Sequence, residues 1–284
     1  MDSPEIFLLH QSDFYQISNY KCNCTKCHTS GVEVTNQFNL CFVRSGFFEN
    51  RTFRREAEVH VGRVMVSKPG YERIIGHIEN QPDVCSVFYF TDNFYKSLQE
   101  HYQREAGWFF RNNDLHTIVI NCPPFLDYLH HVIIQQPGKI SVDTMLMDER
   151  VLQLVDKVMS VLGNEPLSSK LPGTVKRFHL TTIENAKDYL IKNFDKKISL
   201  SDVAKHCCVS LFHFSRIFKS VMKITPYQYL TEIRLQHASI LLETSTEPIN
   251  QIAYQCGFSS LEHFDNAYRQ RFNLTPSTLR KAYF

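Results

Sequence analysis

Long apolar runs are missing from this sequence: no stretch of about 18 or more apolar residues occurs in its 284 residues, which excludes a transmembrane helix. The first twenty residues contain Asp2, Glu5 and Asp13 and lack the basic-then-apolar plan of a secretory signal. The net charge is only +2, which taken alone argues against a strongly basic nucleic-acid binder. Nine scattered cysteines suit thiols in a reducing compartment better than a disulfide framework. We therefore expect a cytoplasmic protein with no membrane contact.

Glycine is scarce in the second half of the chain: nine of ten glycines lie at or before Gly173, and only Gly257 lies beyond it. Because glycine is costly inside helices and useful in turns, this distribution predicts a strand-rich first half and a helical second half. Charge divides at the same place, since residues 175–284 carry 15 Lys and Arg against 9 Asp and Glu. The expected domains are 1–162 and 174–284, joined by a linker at 163–173 that contains two prolines.

The second half contains an internal repeat. Residues 210–226 align with 260–276 at a constant offset of 50, with Ser, Leu, His, Phe, Thr and Pro at matching positions. Just upstream, 202–210 matches 251–259 at an offset of 49. Each copy therefore predicts one helix, a short turn and a second helix, which is the helix-turn-helix unit.

Local signals support that interpretation. A capping box begins at Ser199, Ser210 caps the next helix, and Gly257 supplies the second turn. Pro248 is expected as the first helical residue of its helix. Between the copies, a helix from Pro226 to about Leu242 would span roughly 26 Å and hold the two units about one DNA turn (~34 Å) apart.

These residues resemble the DNA-binding domain of the AraC/XylS family of bacterial transcription regulators, over roughly residues 181–281. The positions that carry the resemblance are Ala204, Ser210, Phe218, Pro226, Arg234, Ala238, Ala253, Gly257, Phe258, Ser259, Phe264, Phe272, Pro276 and Arg280. The resemblance implies that exposed residues early in the second helix of each unit read base edges in successive major grooves.

On that basis, the expected base-reading residues are Phe212, Ser215, Arg216, Leu261, Glu262, His263 and Asn266. Arg216 suits guanine, Asn266 adenine and Glu262 cytosine, while the apolar side chains would contact thymine methyl groups. Asn266 stands where a basic residue is common in the family. Expected phosphate contacts are Ser210, Lys219, Ser260 and Arg269.

In the first half, short apolar runs divided by turn residues between Asn39 and Phe90 predict a small antiparallel barrel or double sheet. The pattern is similar to the cupin-like domains that often precede this kind of DNA-binding domain. Two helices follow, at 123–136 and 144–162. The apolar stripe of the later helix either packs on its own barrel or pairs with a second copy. The expected fold class is thus a mainly-β cupin-like barrel with accessory helices, followed by an all-α domain with two helix-turn-helix units.

A thiol-rich segment, with Cys22, Cys24, Cys27 and His28, offers donors that suit zinc or copper(I). Ordinary loop or strand cysteines are the favoured interpretation, and metal or thiol sensing is the alternative, so no metal or cofactor is expected. Cupin enzymes bind metal through a His-x-His pair, which the sequence lacks.

The sequence as a whole predicts a transcription regulator and not an enzyme. Its expected partners are double-stranded DNA, RNA polymerase if it activates, a small-molecule effector and a second copy of itself. The alternatives are a thiol- or metal-responsive regulator, a catalytic barrel fused to a DNA-binding module, and an architectural DNA binder.

Overall fold

The structure is a computed structural model that describes residues 4–22, 29–52, 55–77, 82–135, 143–164 and 178–284. The chain divides into two compact units, Met1–Glu184 and Asn185–Phe284. In the described ranges, none of the helices is both long enough and apolar enough to span a membrane. Most of the predicted linker, residues 165–173, and the start of the predicted second domain at 174 lie outside the described ranges.

Antiparallel β-structure dominates the first unit. Its described strands are β1 (Glu5–Gln11), β2 (Tyr15–Lys21), β3 (Glu33–Thr35), β4 (Asn39–Ser45), β5 (Phe47–Thr52), β6 (Arg55–His60), β7 (Arg63–Ser67), β8 (Tyr71–His77), β9 (Val84–Phe90) and β10 (Thr117–Asn121). They form a six-stranded sheet in the order β1-β2-β9-β4-β7-β10 and a four-stranded sheet in the order β3-β8-β5-β6. Gly46 and Gly62 both have positive φ and lie in the turns between β4 and β5 and between β6 and β7.

The central strand β4 is buried on both faces, and its alternation separates two cores. Leu40 and Phe42 point into a large core that also contains helical residues. Cys41 and Val43 belong to a smaller cluster with Phe48 and residues of β7, β8 and β9. Because successive side chains of a strand point to opposite faces, one continuous apolar run serves both cores.

The helices of the first unit cover the large core. They are α1 (Asp92–His101), α2 (Gly107–Arg111), α3 (Pro124–Ile134) and α4 (Thr144–Asn164). The apolar stripe of α4, with Val151, Leu154, Val155, Val158 and Leu162, is buried in this core. The stripe therefore packs on its own domain, which is the first of the two predicted alternatives, and a contact with a second copy stays a prediction. Helix α4 also extends two residues into the predicted linker.

The second unit is helical. Together with α5 (Phe178–Lys192), which crosses the boundary between the units, its helices are α6 (Leu200–His206), α7 (Leu211–Met222), α8 (Pro226–Thr244), α9 (Ile249–Gln255), α10 (Leu261–Phe272) and α11 (Pro276–Tyr283). This arrangement confirms the predicted fold class. Pro248 is a correction of detail: it is the N-cap of α9, and the helix begins one residue later.

Helix starts in this unit follow the predicted caps. The Ser199 hydroxyl accepts from the backbone N–H of Asp202, and the Asp202 carboxylate accepts from the backbone N–H of Ser199 at 2.9 Å. This hydrogen bonding lowers the pKa of Asp202. Thr225 and Gln228 form the same reciprocal box at the start of α8. The two boxes satisfy backbone donors that would otherwise lack partners and so fix where α6 and α8 begin.

Candidate nucleic-acid interface

The first helix-turn-helix unit consists of α6, a turn at 207–209 and α7. The turn closes through a hydrogen bond from the Val209 backbone N–H to the Ala204 carbonyl at 3.1 Å. Ala204 is buried in α6, while Phe214 and Phe218 are buried on α7 with ring centroids 5.6 Å apart. The buried rings leave the opposite side of α7 exposed, which is the side a DNA groove could contact.

The second helix-turn-helix unit repeats this geometry with α9, a turn at 256–258 and α10. Its turn closes through a hydrogen bond from the Phe258 backbone N–H to the Ala253 carbonyl at 3.1 Å. Phe258 and Phe264 pack with centroids 5.1 Å apart, and Phe264 and Tyr268 follow at 5.5 Å. The repeated hydrogen bond and ring pair reproduce the sequence repeat in three dimensions.

Helix α8 contacts elements of both helix-turn-helix units. Tyr229, near its start, packs edge-on against Phe218 of α7. Near its middle, Glu232 accepts from the Arg271 guanidinium of α10 at 2.7 and 2.8 Å. Nineteen residues at 1.5 Å per residue give α8 a length of about 28 Å.

On α7, the predicted base-reading residues lie at the surface to different extents. Phe212 is 87% exposed, far more than a phenylalanine in a domain core. Arg216 is exposed one turn further on, and Ser215 is half-buried beside it. Ser210 is the N-cap, whose hydroxyl accepts from the backbone N–H of His213 at 3.4 Å.

On α10, Leu261, Glu262 and Asn266 are exposed as predicted. Glu262 is in the first turn, where a negative charge stabilises the positive end of the helix. His263 is exposed but is hydrogen bonded through Nε2 to the hydroxyl of Tyr227 at 3.2 Å. This contact ties the start of α10 to the start of α8, so His263 has a structural role that the sequence did not indicate.

Three arginines of the helical unit hold its elements together. Arg234 donates to the carbonyls of Phe194 and Lys196, each at 2.8 Å, and Arg280 donates to those of Leu242 and Glu247 at 3.0 and 2.9 Å. Arg271 is held by Glu232, so these three guanidinium groups tie elements together. Burial also lowers the pKa of Arg234.

Three other cations of the helical unit have a different environment. Arg216, Lys219 and Arg269 are exposed, and within the described ranges their side chains have no ion-pair partner. A charge that is already neutralised gains little from a phosphate, whereas an exposed and unengaged one can displace counterions. These three are among the residues that the sequence predicted to touch DNA, and Lys197, Lys205 and Lys281 are likewise exposed without an ion pair among the described residues.

Two exposed tyrosines were not among the predicted residues. Tyr227 in the first turn of α8 is 59% exposed, and Tyr254 on α9 is 56% exposed. Both are amphipathic, with an apolar ring and a hydroxyl that can donate to a phosphate. Their position in the repeat was available in the sequence, but their exposure depends on packing.

Of the predicted thiol-rich segment, Cys22 is buried at the end of β2, and its backbone N–H donates to the Asp83 carbonyl at 2.9 Å. Cys24, Cys27 and His28 lie outside the described residues. The arrangement of those four residues as one site therefore stays a prediction.

The geometry defines a DNA-binding class of domain, two helix-turn-helix units joined by a helix. A family model described as a helix-turn-helix domain matches residues 203–282. The regulator ArgR of Pseudomonas aeruginosa is 40% identical over 84 residues, which are 30% of this chain and 26% of that protein. The activator RhaS of Escherichia coli is 30% identical over 125 residues, 44% of this chain and 43% of RhaS.

Among solved structures, an AraC-type regulator from Chromobacterium violaceum is 32% identical, covering 38% of this chain and 96% of that one, with a TM-score of 0.36. The helical unit thus contains an AraC-type helix-turn-helix domain, and the proteins that it resembles are transcription regulators. The chain matches about a quarter of ArgR and less than half of RhaS.

Proposed function

We propose that this protein is a sequence-specific DNA-binding transcription regulator in which α7 and α10 enter successive major grooves on one face of the duplex. The observation that carries the proposal is the position of three exposed cations, without an ion pair among the described residues, on the outer sides of these two helices. Arg216, Lys219 and Arg269 lie there, while the other arginines of α8, α10 and α11 tie elements together.

Within this proposal, the two helices have different chemistry. Arg216 donates to guanine and Phe212 contacts a thymine methyl group on the first helix. On the second helix, Asn266 suits adenine, Glu262 accepts from cytosine, and Leu261 and His263 add contacts. The hydrogen bond of His263 to Tyr227 leaves its other ring nitrogen for this purpose.

Phosphate contacts hold the helices in register. Lys219 and Arg269 contribute charge, and Ser210 and Ser260 cap the helix N-termini, where backbone N–H groups attract anions. The net charge of +6 over residues 175–284 supports this role. Residues 1–174 have a net negative charge, which does not suit contact with DNA. The first unit senses an effector or joins two copies. RNA polymerase is a further partner if the protein activates.

Selection of bound sequences from random DNA with the full chain tests the proposal. The expected result is two short half-motifs whose centres are about 10 base pairs apart, one turn of the duplex. A single half-motif would reject simultaneous reading by both helices. No enrichment over the starting pool would reject sequence-specific binding altogether.

A further inference from the structure

Three metal-ligating side chains meet inside the first unit, outside the nucleic-acid interface. Cys22, His77 and Asp83 each offer one donor atom, and these atoms lie within 4.8 Å of one another. Cys22, which follows β2, is far along the chain from the other two residues: His77 ends β8, and Asp83 precedes β9 six residues later. The site therefore joins the six-stranded sheet to the four-stranded sheet.

The backbone holds this cluster closely. The Cys22 backbone N–H donates to the Asp83 carbonyl at 2.9 Å, which continues the β2–β9 ladder by one residue. Gly46 has a φ of +81°, and a Cβ there would lie 2.5 Å from the Pro82 carbonyl and 2.6 Å from the Asp83 Cα. Glycine at this position thus allows the Asp83 backbone to approach the turn between β4 and β5.

Cys22 and Asp83 are buried and His77 is half-buried, although burial is costly for such groups. Cys22 and Asp83 are each 5% exposed. The Asp83 carboxylate accepts from His77 Nδ1 at 2.7 Å, and the Cys85 thiol donates to its other oxygen at 3.5 Å. A buried carboxylate needs such partners, because an unpartnered buried charge is strongly unfavourable. The Cys22 thiol adds a soft donor that a simple histidine–aspartate pair does not require.

We propose that Cys22, His77 and Asp83 bind a zinc ion. Thiolate, imidazole and carboxylate are the donors that zinc accepts together, whereas copper(I) prefers sulfur, and calcium and magnesium prefer oxygen alone. Around a tetrahedral zinc, bonds of about 2.0–2.3 Å place ligand atoms roughly 3.3–3.8 Å apart. The three donor atoms now lie within 4.8 Å of one another, so small movements of their side chains bring them to that spacing.

Zinc binding displaces protons from its ligands. The zinc–sulfur bond replaces the Cys22 S–H bond, and that proton passes to solvent. Zinc also takes the place of the hydrogen between His77 Nδ1 and Asp83 Oδ1: the neutral imidazole ligates through Nδ1 and carries its proton on Nε2, and the two ligand atoms move apart by less than about 1 Å. Cys85 then acts as an outer partner that orients the ligating carboxylate.

A fourth ligand comes from the adjoining cavity. All three donors line a cavity of about 120 Å³ between the sheets, together with Cys41, Met65 and Cys85. Pockets for small organic ligands are usually about 300–1,000 Å³, so this volume suits an ion with water or one small exchangeable ligand. Three protein ligands with one open position is the geometry in which zinc binds an exogenous group.

Metal titration of the purified, chelator-treated full chain tests the site. We expect one equivalent of zinc, and with cobalt as substitute a thiolate-to-metal charge-transfer band. Cys22→Ser, His77→Gln and Asp83→Asn are each expected to weaken zinc binding more than about tenfold, because changes to outer partners already cost about 10–100-fold. Cys22→Ser should also abolish the cobalt–thiolate band.

Two controls separate this site from other thiols. Cys208→Ser removes an exposed thiol of the second unit, and the double variant Cys24→Ser/Cys27→Ser removes the rest of the thiols in the sequence-predicted segment. Both are expected to bind zinc and cobalt as the unaltered chain does. Loss of the band in the double variant, or no band in the unaltered chain, overturns the proposal without requiring any site variant to fold. No step depends on DNA, so the regulator function stands or fails separately.

Discussion

Cys208 and Gly257 occupy the same place in the turns of the two helix-turn-helix units, and both have positive φ, 54° and 81°. Glycine adopts this conformation freely, whereas a residue with a Cβ is strained by about 1–2 kcal/mol. The surroundings also differ. Cys208 is exposed, but a Cβ on Gly257 would lie 2.6 Å from the Phe194 carbonyl and 2.9 Å from the Arg234 guanidinium. The two turns therefore have the same backbone conformation, but only the first has room for a side chain.

This difference predicts opposite sensitivities for two substitutions. Gly257→Ala adds backbone strain and collides with the Phe194 carbonyl, so the free energy of unfolding of the second unit should fall by roughly 2 kcal/mol or more. Cys208→Gly relieves strain but adds freedom to the unfolded chain, so it should change that free energy by less than about 1 kcal/mol. Denaturant unfolding followed by helical circular dichroism measures both.

Trp108 provides the internal control for these measurements, because it is the one tryptophan of the chain and belongs to the first unit. Its fluorescence transition should be the same in both variants. Equal destabilisation by Gly257→Ala and Cys208→Gly would contradict the role assigned to the contact between Gly257 and Phe194.

Arg216→Ala tests base reading by α7. Because Arg216 is exposed and makes no ion pair among the described residues, its removal should leave thermal stability nearly unchanged. Loss of a bidentate guanine contact should weaken binding to the selected sequence by about 1–3 kcal/mol, with little effect on scrambled DNA. Fluorescence anisotropy on the two duplexes measures this difference.

Lys219→Ala is the matched control on the same helix. It should weaken binding to both duplexes alike and reduce the slope of log affinity against log salt by about 1, as a lost phosphate contact does. If Arg216→Ala behaves in the same way, Arg216 contacts phosphate and does not read bases.

Thiol reactivity should rank the cysteines of the second unit. Cys208 is exposed, whereas Cys207 and Cys256 are buried, and burial raises their pKa to about 11 and about 12. Only the thiolate is nucleophilic, so both buried thiols should resist alkylation at neutral pH. Peptide mass spectrometry after brief iodoacetamide treatment should find Cys208 modified first. Modification of Cys256 at a comparable rate would mean that α9 opens readily.

The helical unit was predictable from sequence because its information is local and repeated. Ser199, Ser210 and Thr225 are caps recognised within four residues, and the 50-residue offset placed α7 and α10 without any long-range argument. The exposed base-reading candidates followed from the same register. What the sequence did not indicate was the engagement of His263 by Tyr227, since that contact depends on how α8 and α10 pack.

The first unit was harder to predict because its order is set by non-local pairing. Strand β2 pairs with β9, about 69 residues later in the chain, and β7 pairs with β10 although two strands and two helices lie between them. For the same reason, the sequence groups Cys22 with its chain neighbours and does not reveal that it meets His77 and Asp83. Spacing along the chain identifies ligands that share a loop, but not ligands that a sheet brings together.

His237 makes the stability of the second unit depend on pH. Burial lowers its pKa from the ordinary value of 6.5, and its ring lies 4.7 Å from that of Phe194. Below pH 6.5 the unfolded chain therefore binds a proton at this site before the folded chain does, so stability should fall as the pH decreases through that value. His237→Gln removes the titrating group and should flatten the decline in Tm, measured by helical circular dichroism. Above the pKa of an ordinary histidine, the two proteins should differ by a constant amount. Parallel curves at all pH values would show that His237 does not contribute to the pH dependence.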